Sequence, residues 1–333
     1  MATIASKGTV FVSGASGYIA GHVIHQLLEA GYKVKGSVRS LSNPTKVAHL
    51  QSEFPGVELV EADLLIPGSF DAGIAGCDYV LHTASPFQTV GITDPQAELV
   101  DPAVKGTENV LGAAAKAGVK RVVVTSSCAA VANEAPYPEG TVLTEANWNE
   151  DSTLESGAYR LSKTLAERRA WELAETASFS LVVVNPSFVL GPPFSKRTDS
   201  TSVRVVKTIL EGGFKDGAPA SAAYGTVDVR DLARGHVRAM ETESASGRYI
   251  FSSSVGLRGM MEVADILRSD PEFAAFHSNL PTASVGEAKS PTLYDHSKAE
   301  RELGVTFKER AETLKDMARW LIANGVATPP ASE

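Results

Sequence analysis

Cysteine is scarce in this chain of 333 residues. Cys77 and Cys128 are the only two, too few for a disulfide framework and at no metal-ligand spacing, so a reducing compartment is expected. Positive charge is also in short supply: 31 Lys and Arg face 39 Asp and Glu, a net charge of −8, with no basic block. That excludes a phosphate-backbone binder, which needs clustered cations to displace counterions, and no nucleic acid partner is expected. No apolar run approaches the roughly 18 residues a membrane helix needs, Met1 to Lys7 lacks a signal-peptide pattern, and Ala331-Ser332-Glu333 matches no retention address. The expectation is a cytoplasmic protein without a membrane partner. The seven histidines form no His-x-x-x-His array, so no metal is expected.

What is present is alternation. Short apolar runs at Thr9 to Val12, Lys33 to Val38, Val57 to Ala62, Tyr79 to Thr83, Arg121 to Thr125 and Leu181 to Val184 predict strands. Stretches of helical period at 18–30, 43–54, 69–75, 95–117 and 156–176 lie between them. The pattern predicts an α/β protein, a Rossmann-type doubly wound parallel sheet over 1–186. After Asn185-Pro186 the alternation stops, and residues 187–333 read as a smaller α/β substrate lobe, with a strand near 225–230 or 249–252 able to rejoin the first sheet.

The first strand runs into Gly14-Ala15-Ser16-Gly17-Tyr18-Ile19-Ala20-Gly21 and then into a helix. Gly14 suits the tight turn, and Gly17 lets the main chain approach a pyrophosphate at the helix N-terminus. Ala20 stands where a third glycine is usual. At the end of the second strand, where an NAD-specific fold places an acid, stands Arg39; a guanidinium there pairs with a 2′-phosphate and favours NADPH. Lys46 supplies a second cation or is an ordinary surface lysine. Asp63, with Leu64 beside it, either accepts from an adenine amino group or caps a helix. Thr83-Ala84-Ser85 forms a small-residue loop over the crevice at the carboxyl edge of the sheet.

The fifth strand ends in Thr125-Ser126-Ser127, and about thirty residues on, Tyr159 and Lys163 stand at i and i+4 on one helix face. A phenol titrates near 10, too high for ready proton exchange at neutral pH, and an adjacent ammonium is expected to lower it. A serine hydroxyl from the strand end then holds a substrate oxygen in line with the phenol. Together they make a polariser and proton donor for a carbonyl that receives a hydride. Phe87, Val131, Phe188, Phe194 and Tyr224, on or beside the loops 87–93, 131–140 and 187–224, line a substrate pocket or belong to the core.

These stretches, with Val10 to Gly14, Leu81 to Phe87, Pro102 to Gly106, Val184-Asn185-Pro186 and Tyr224 to Asp231, resemble the extended short-chain dehydrogenases/reductases. Within that group they resemble the dihydroflavonol-reductase branch, most closely the fungal NADPH-dependent methylglyoxal and carbonyl reductases. The resemblance covers nearly the whole chain. It implies NADPH-dependent reduction of an aldehyde, ketone or dicarbonyl, with Tyr159 as proton donor, Lys163 on the nicotinamide ribose and Ser127 orienting the carbonyl. It also implies cofactor contacts at Gly14, Ser16, Gly17, Tyr18, Ile19, Arg39, Lys46, Asp63, Leu64, Thr83, Ala84, Ser85, Tyr159 and Lys163, and from Pro186 to Val189. Ala103 departs from the asparagine that many extended members use in a proton relay. Two other readings remain on the same residues: a nucleotide-sugar epimerase or dehydratase with retained NAD, and a non-catalytic NADP sensor. A small-molecule carbonyl is the expected partner, and monomer and homodimer both fit.

Overall fold

The structure, a computed structural model, describes residues 7–85, 91–221 and 223–329, and within them all side chains but those of Thr45 and Lys46. Its centre is a seven-stranded sheet. The strands are β1 (Thr9–Ser13), β2 (Lys33–Val38), β3 (Val57–Glu61), β4 (Tyr79–His82), β5 (Arg121–Thr125), β6 (Ser180–Pro186) and, after a long excursion, β9 (Gly247–Phe251). Two short strands, β7 (Phe188–Leu190) and β8 (Thr226–Asp228), pair with each other outside that sheet.

The order is β9-β6-β5-β4-β1-β2-β3 and every neighbouring pair is parallel. Parallel strands covered on both faces carry near-continuous apolar runs, which is why β1 and β6 read as Val-rich stretches rather than alternations. Period two still sorts the side chains. Val10 and Val12 of β1 join the core on one face, with Ile24 and Leu27 of α1 (Tyr18–Glu29). Phe11, between them, joins Val110 and Leu111 of α3 (Asp101–Ala117) on the other.

The expected helix over 95–117 opens with a wider turn over Gln96–Val100 before α3 proper. The Asp94 carboxylate accepts from the amide of Ala97 at 3.1 Å, and Gly118, at φ 65°, closes the far end. Of the two later strands foreseen, 247–251 pairs with β6 from Gly247 on Val182 to Phe251 on Pro186. The segment at 226–228 goes to β7 instead. A separate apolar cluster joins α5 (Thr201–Leu210), α6 (Met260–Arg268) and α7 (Arg310–Ala323) through Val206, Ile209, Val263, Leu267, Leu314 and Leu321.

The chain winds one way through β1, β2 and β3 and the other way through β4, β5 and β6. The crevice therefore opens where β1 and β4 lie side by side, at their carboxyl ends.

Candidate active site

Three loops meet at that crevice. The turn after β1 places Gly14 at φ 69°, and a Cβ there would stand 2.9 Å from the Cβ of Ala84 on the loop after β4. Only glycine satisfies both demands. The Gly14 amide donates to Ser37 Oγ at 2.9 Å and the Ala15 amide to the Ser37 carbonyl at 2.8 Å, which moors the turn to β2. Ser13 ties the other side: its hydroxyl meets His82 Nδ1 at 2.8 Å and accepts from the Ala84 amide at 3.0 Å, while Thr83 Oγ1 donates to its carbonyl. His82 is buried, which drives its pKa down to about 3 with the Lys163 charge acting in the same direction, so the imidazole in this tie is neutral.

Gly17 is the exposed N-cap of α1, extended at φ −76° and ψ 159°, and no side chain caps the helix there. Its first-turn amides and the positive end of the dipole face an open, narrow turn that a Cβ at Gly14 or Gly17 would obstruct. Those features fit the phosphates of a dinucleotide. Arg39 is exposed immediately after β2. The Lys46 side chain lies outside the described residues, as does Phe87. Asp63 uses its carboxylate locally, Oδ1 accepting from the Leu65 amide at 2.8 Å, and Leu64 packs over Gly106 of α3.

The second half of the site comes from β5 and α4 (Ala158–Ala174). Ser126 and Ser127 are neighbours with opposite fates. Ser126 is buried and its hydroxyl donates to Glu167 Oε2 at 2.5 Å. Ser127 is half-buried; its Oγ accepts from the Ala129 amide at 3.1 Å and hydrogen-bonds the Tyr159 phenol. One turn along α4, Lys163 Nζ stands 5.7 Å from the Tyr159 ring centroid and donates to Ser85 Oγ at 2.7 Å. The structure thus brings together Ser127, Tyr159, Lys163 and Ser85. A small pocket behind them is bounded by Lys163, Ser85, Thr107, Glu167 and Ala103.

The electrostatics depart from expectation in one respect. Desolvation pushes the Tyr159 phenol up to about 12, and only the Ser127 hydrogen bond and the Arg160 charge pull the other way. The Lys163 ammonium stands over the Tyr159 ring, 5.7 Å from its centroid. Burial instead lowers Lys163 itself to about 8.

Sequence reasoning missed the group beneath the site. Glu167, fully buried, receives Arg248 Nε at 2.6 Å, Asn185 Nδ2 at 2.8 Å and the Ser126 hydroxyl. Asn185 Nδ2 also donates to the Ser127 carbonyl at 3.2 Å. Glu167 continues the i, i+4 series of Tyr159 and Lys163, a signal that was readable; Arg248, on β9, carried none.

The residues expected to line a substrate pocket are dispersed. Phe188 and Tyr224 face each other with ring centroids 5.5 Å apart, Tyr224 exposed. Val131 is fully buried in a cluster with Cys128, Leu143 and Tyr294, a core position. Phe194 packs on α1, against His22 and His25, at the cofactor side. Pro186 ends β6 and Val189 is in β7. Among the described residues no cluster of three or more His, Cys, Asp or Glu could hold a metal, and no helix is long and apolar enough to cross a membrane.

A glycine turn at the switch point of a parallel sheet, with a Tyr–Lys helix face and a serine strand end across the crevice, defines a Rossmann-type dinucleotide fold. The chain belongs to the NAD dependent epimerase/dehydratase family, the extended short-chain dehydrogenases/reductases, whose model matches residues 10–251. It is 39% identical over 330 residues to cinnamoyl-CoA reductase 1 of Arabidopsis thaliana, covering 96% of this chain and 91% of that protein. To the putative NADPH-dependent methylglyoxal reductase of Candida albicans it is 34% identical over 345 residues, covering 96% and 100%. Among solved structures, yeast methylglyoxal/isovaleraldehyde reductase complexed with NADPH superposes with a TM-score of 0.82 at 33% identity, over 96% of this chain and 99% of that one.

Proposed function

We propose that this protein is an NADPH-dependent reductase that converts an aldehyde or ketone to an alcohol. The observation that carries the reading is the hydrogen-bonded Ser127–Tyr159 pair, with Lys163 one turn away, across the crevice from an uncapped glycine turn. The relatives whose names specify reduction of a thioester or a dicarbonyl support it. NADPH, when bound, supplies the hydride.

The chain's own residues do the rest. Ser127 Oγ and the Tyr159 hydroxyl converge on the carbonyl oxygen and bear the negative charge that develops on it. At a pKa of about 12 the phenol is protonated throughout the neutral range, so Tyr159 stands ready as the acid, matched to an alkoxide that is a stronger base still. Lys163 adds positive charge beside the developing phenolate, and Ser85 keeps its ammonium directed into the crevice. Arg39 selects the 2′-phosphate.

Two expected results follow from these roles. With Tyr159 protonated, the alkaline limb belongs to Lys163: the cation, present below about pH 8, is lost above it, so kcat/KM for reduction declines through that value. Lys163→Arg, charged up to about pH 12, retains a reduced rate with no such limb; a parental pH–rate profile flat to about pH 10 contradicts the assignment. Second, Arg39→Glu lowers kcat/KM with NADPH by about 10- to 100-fold and leaves NADH turnover equal or improved, since the carboxylate repels the 2′-phosphate and accepts from ribose hydroxyls. Loss of NADPH from a panel of methylglyoxal, aryl ketones and cinnamoyl-CoA sorts the substrate class.

A further inference from the structure

Beyond β7 the chain does not run directly into α5. Residues 191–200 cross over the start of α1, and that crossing is pinned at several points. Tyr18 Oη donates to the Gly191 carbonyl at 2.6 Å, and His22 Nε2 bonds the Pro192 carbonyl at 2.8 Å. The Phe194 ring sits on Gly21, where a Cβ would come within 3.4 Å of it, and meets the rings of His22, His25 and Phe54 at centroid distances of 4.4, 5.3 and 5.3 Å. Burial holds His22 neutral, down to about 4, so this seating does not change its charge in the neutral range.

The seated segment delivers one cation to the glycine turn. Arg197 Nη1 donates to the carbonyl of Ser16, the residue between Ala15 and Gly17, and Nη2 donates to the carboxylate of Asp199. Ser16, Gly17, Arg197 and Asp199 line one cleft, together with His49 and Leu50 of α2 (Pro44–Glu53). A guanidinium has five N–H donors in a planar fork, and these contacts take one each. The cleft is continuous with the uncapped first turn of α1, where the dipole and the amides favour an anion. A carbonyl is a weak partner for a charge that phosphate oxygens can meet bidentately.

We propose that Arg197 is a phosphate clamp: a further cofactor-binding residue, lent to the glycine turn by the segment that follows β7, which closes on a phosphate group of the dinucleotide. Asp199 holds the fork in place before binding, so little side-chain freedom is lost when the phosphate arrives. The clamp rests on the NADPH reading above, and its consequence is that affinity depends on a segment outside the turn-and-helix unit that opens the chain.

The test is equilibrium binding, not turnover. NADPH and NADH are titrated into the full-length parent, Arg197→Gln and Arg197→Lys by calorimetry, with the melting temperature of each recorded without cofactor. Arg197→Gln is expected to weaken NADPH binding by about 10- to 100-fold with its melting temperature within about 2 °C of the parent, and Arg197→Lys to recover part of the loss as a point charge. If NADH weakens by the same factor, the clamped group is the pyrophosphate; if NADH is unaffected, it is the 2′-phosphate. Both outcomes support the clamp. Parental affinity in Arg197→Gln overturns it, as does an equal loss in both variants accompanied by a lowered melting temperature, which marks Arg197 as a pin for the segment. A parent that binds no NADPH overturns the cofactor reading itself and the clamp with it, whereas a tight-binding parent with an indifferent Arg197→Gln overturns the clamp alone.

Discussion

Tyr159→Phe is expected to lower kcat/KM for carbonyl reduction by about 10²- to 10⁴-fold, the range that one positioned proton donor contributes. The substitution removes an oxygen and nothing else. The ring stays beside Lys163, whose Nζ lies 5.7 Å from its centroid and whose anchor on Ser85 does not involve the phenol. NADPH affinity measured by titration should therefore remain close to parental, and the melting temperature with it. The separation of the two readouts is the point of the experiment: a catalytic acid loses rate without losing binding. Ser127 loses a hydrogen-bond partner but keeps the Ala129 amide, so its position is preserved. A Tyr159→Phe enzyme that consumes NADPH with small aldehydes at the parental rate removes Tyr159 from the chemistry.

The contrast between Ser126 and Ser127 shows what could be read from the chain and what could not. Both hydroxyls follow the same strand and either could have faced the crevice, because one-residue alternation at a strand end says only that they point apart. The tertiary partner decides: Ser126 turns to Glu167, forty-one positions later in the chain. The glycine turn, the parallel, doubly wound character of the sheet and the Tyr159–Lys163 spacing were legible because each is a local pattern with one physical meaning. Arg197 and Arg248 were not, since their partners Ser16 and Glu167 lie 181 and 81 positions away and no periodicity links them. Nor was the upward shift of the Tyr159 phenol. Spacing foretells that an ammonium is near, but not how strongly burial acts on the phenol. Among the proposed pocket residues, aromatic or aliphatic character could not separate lining from core, and Val131 turned out to be wholly core.

The largest effect on stability is expected beneath the site. Glu167→Ala leaves Arg248 with its guanidinium buried, Nε unpartnered, and its remaining contacts reduced to the carbonyls of Glu145, Asn147 and Ala130 and the face of Trp148, 3.9 Å from its ring centroid. Breaking one side of a buried pair costs about 3–5 kcal/mol, because the surviving charge keeps its desolvation penalty and loses its compensation. With an unfolding entropy of about 2.1 cal/mol/K per residue, that is a fall of roughly 4–7 °C in melting temperature. Activity falls too, by a different route. Asn185 Nδ2 bridges Glu167 and the Ser127 carbonyl, so removing the carboxylate loosens the strand end that aims the Ser127 hydroxyl at Tyr159. Glu167→Gln separates the two effects, since the amide can still accept from Asn185 and Ser126 while losing the charge that Arg248 needs; stability drops, and kcat is retained better than in the alanine variant. Replacing Glu167 and Arg248 together by Leu and Met is expected to recover most of the lost stability, as apolar pairs of similar volume do in place of buried ions. It does not restore kcat, because Asn185 and Ser126 still lack their acceptor. Parental stability for Glu167→Ala would show instead that the elements joined at Glu167 are held by apolar packing, with the ion pair a passenger.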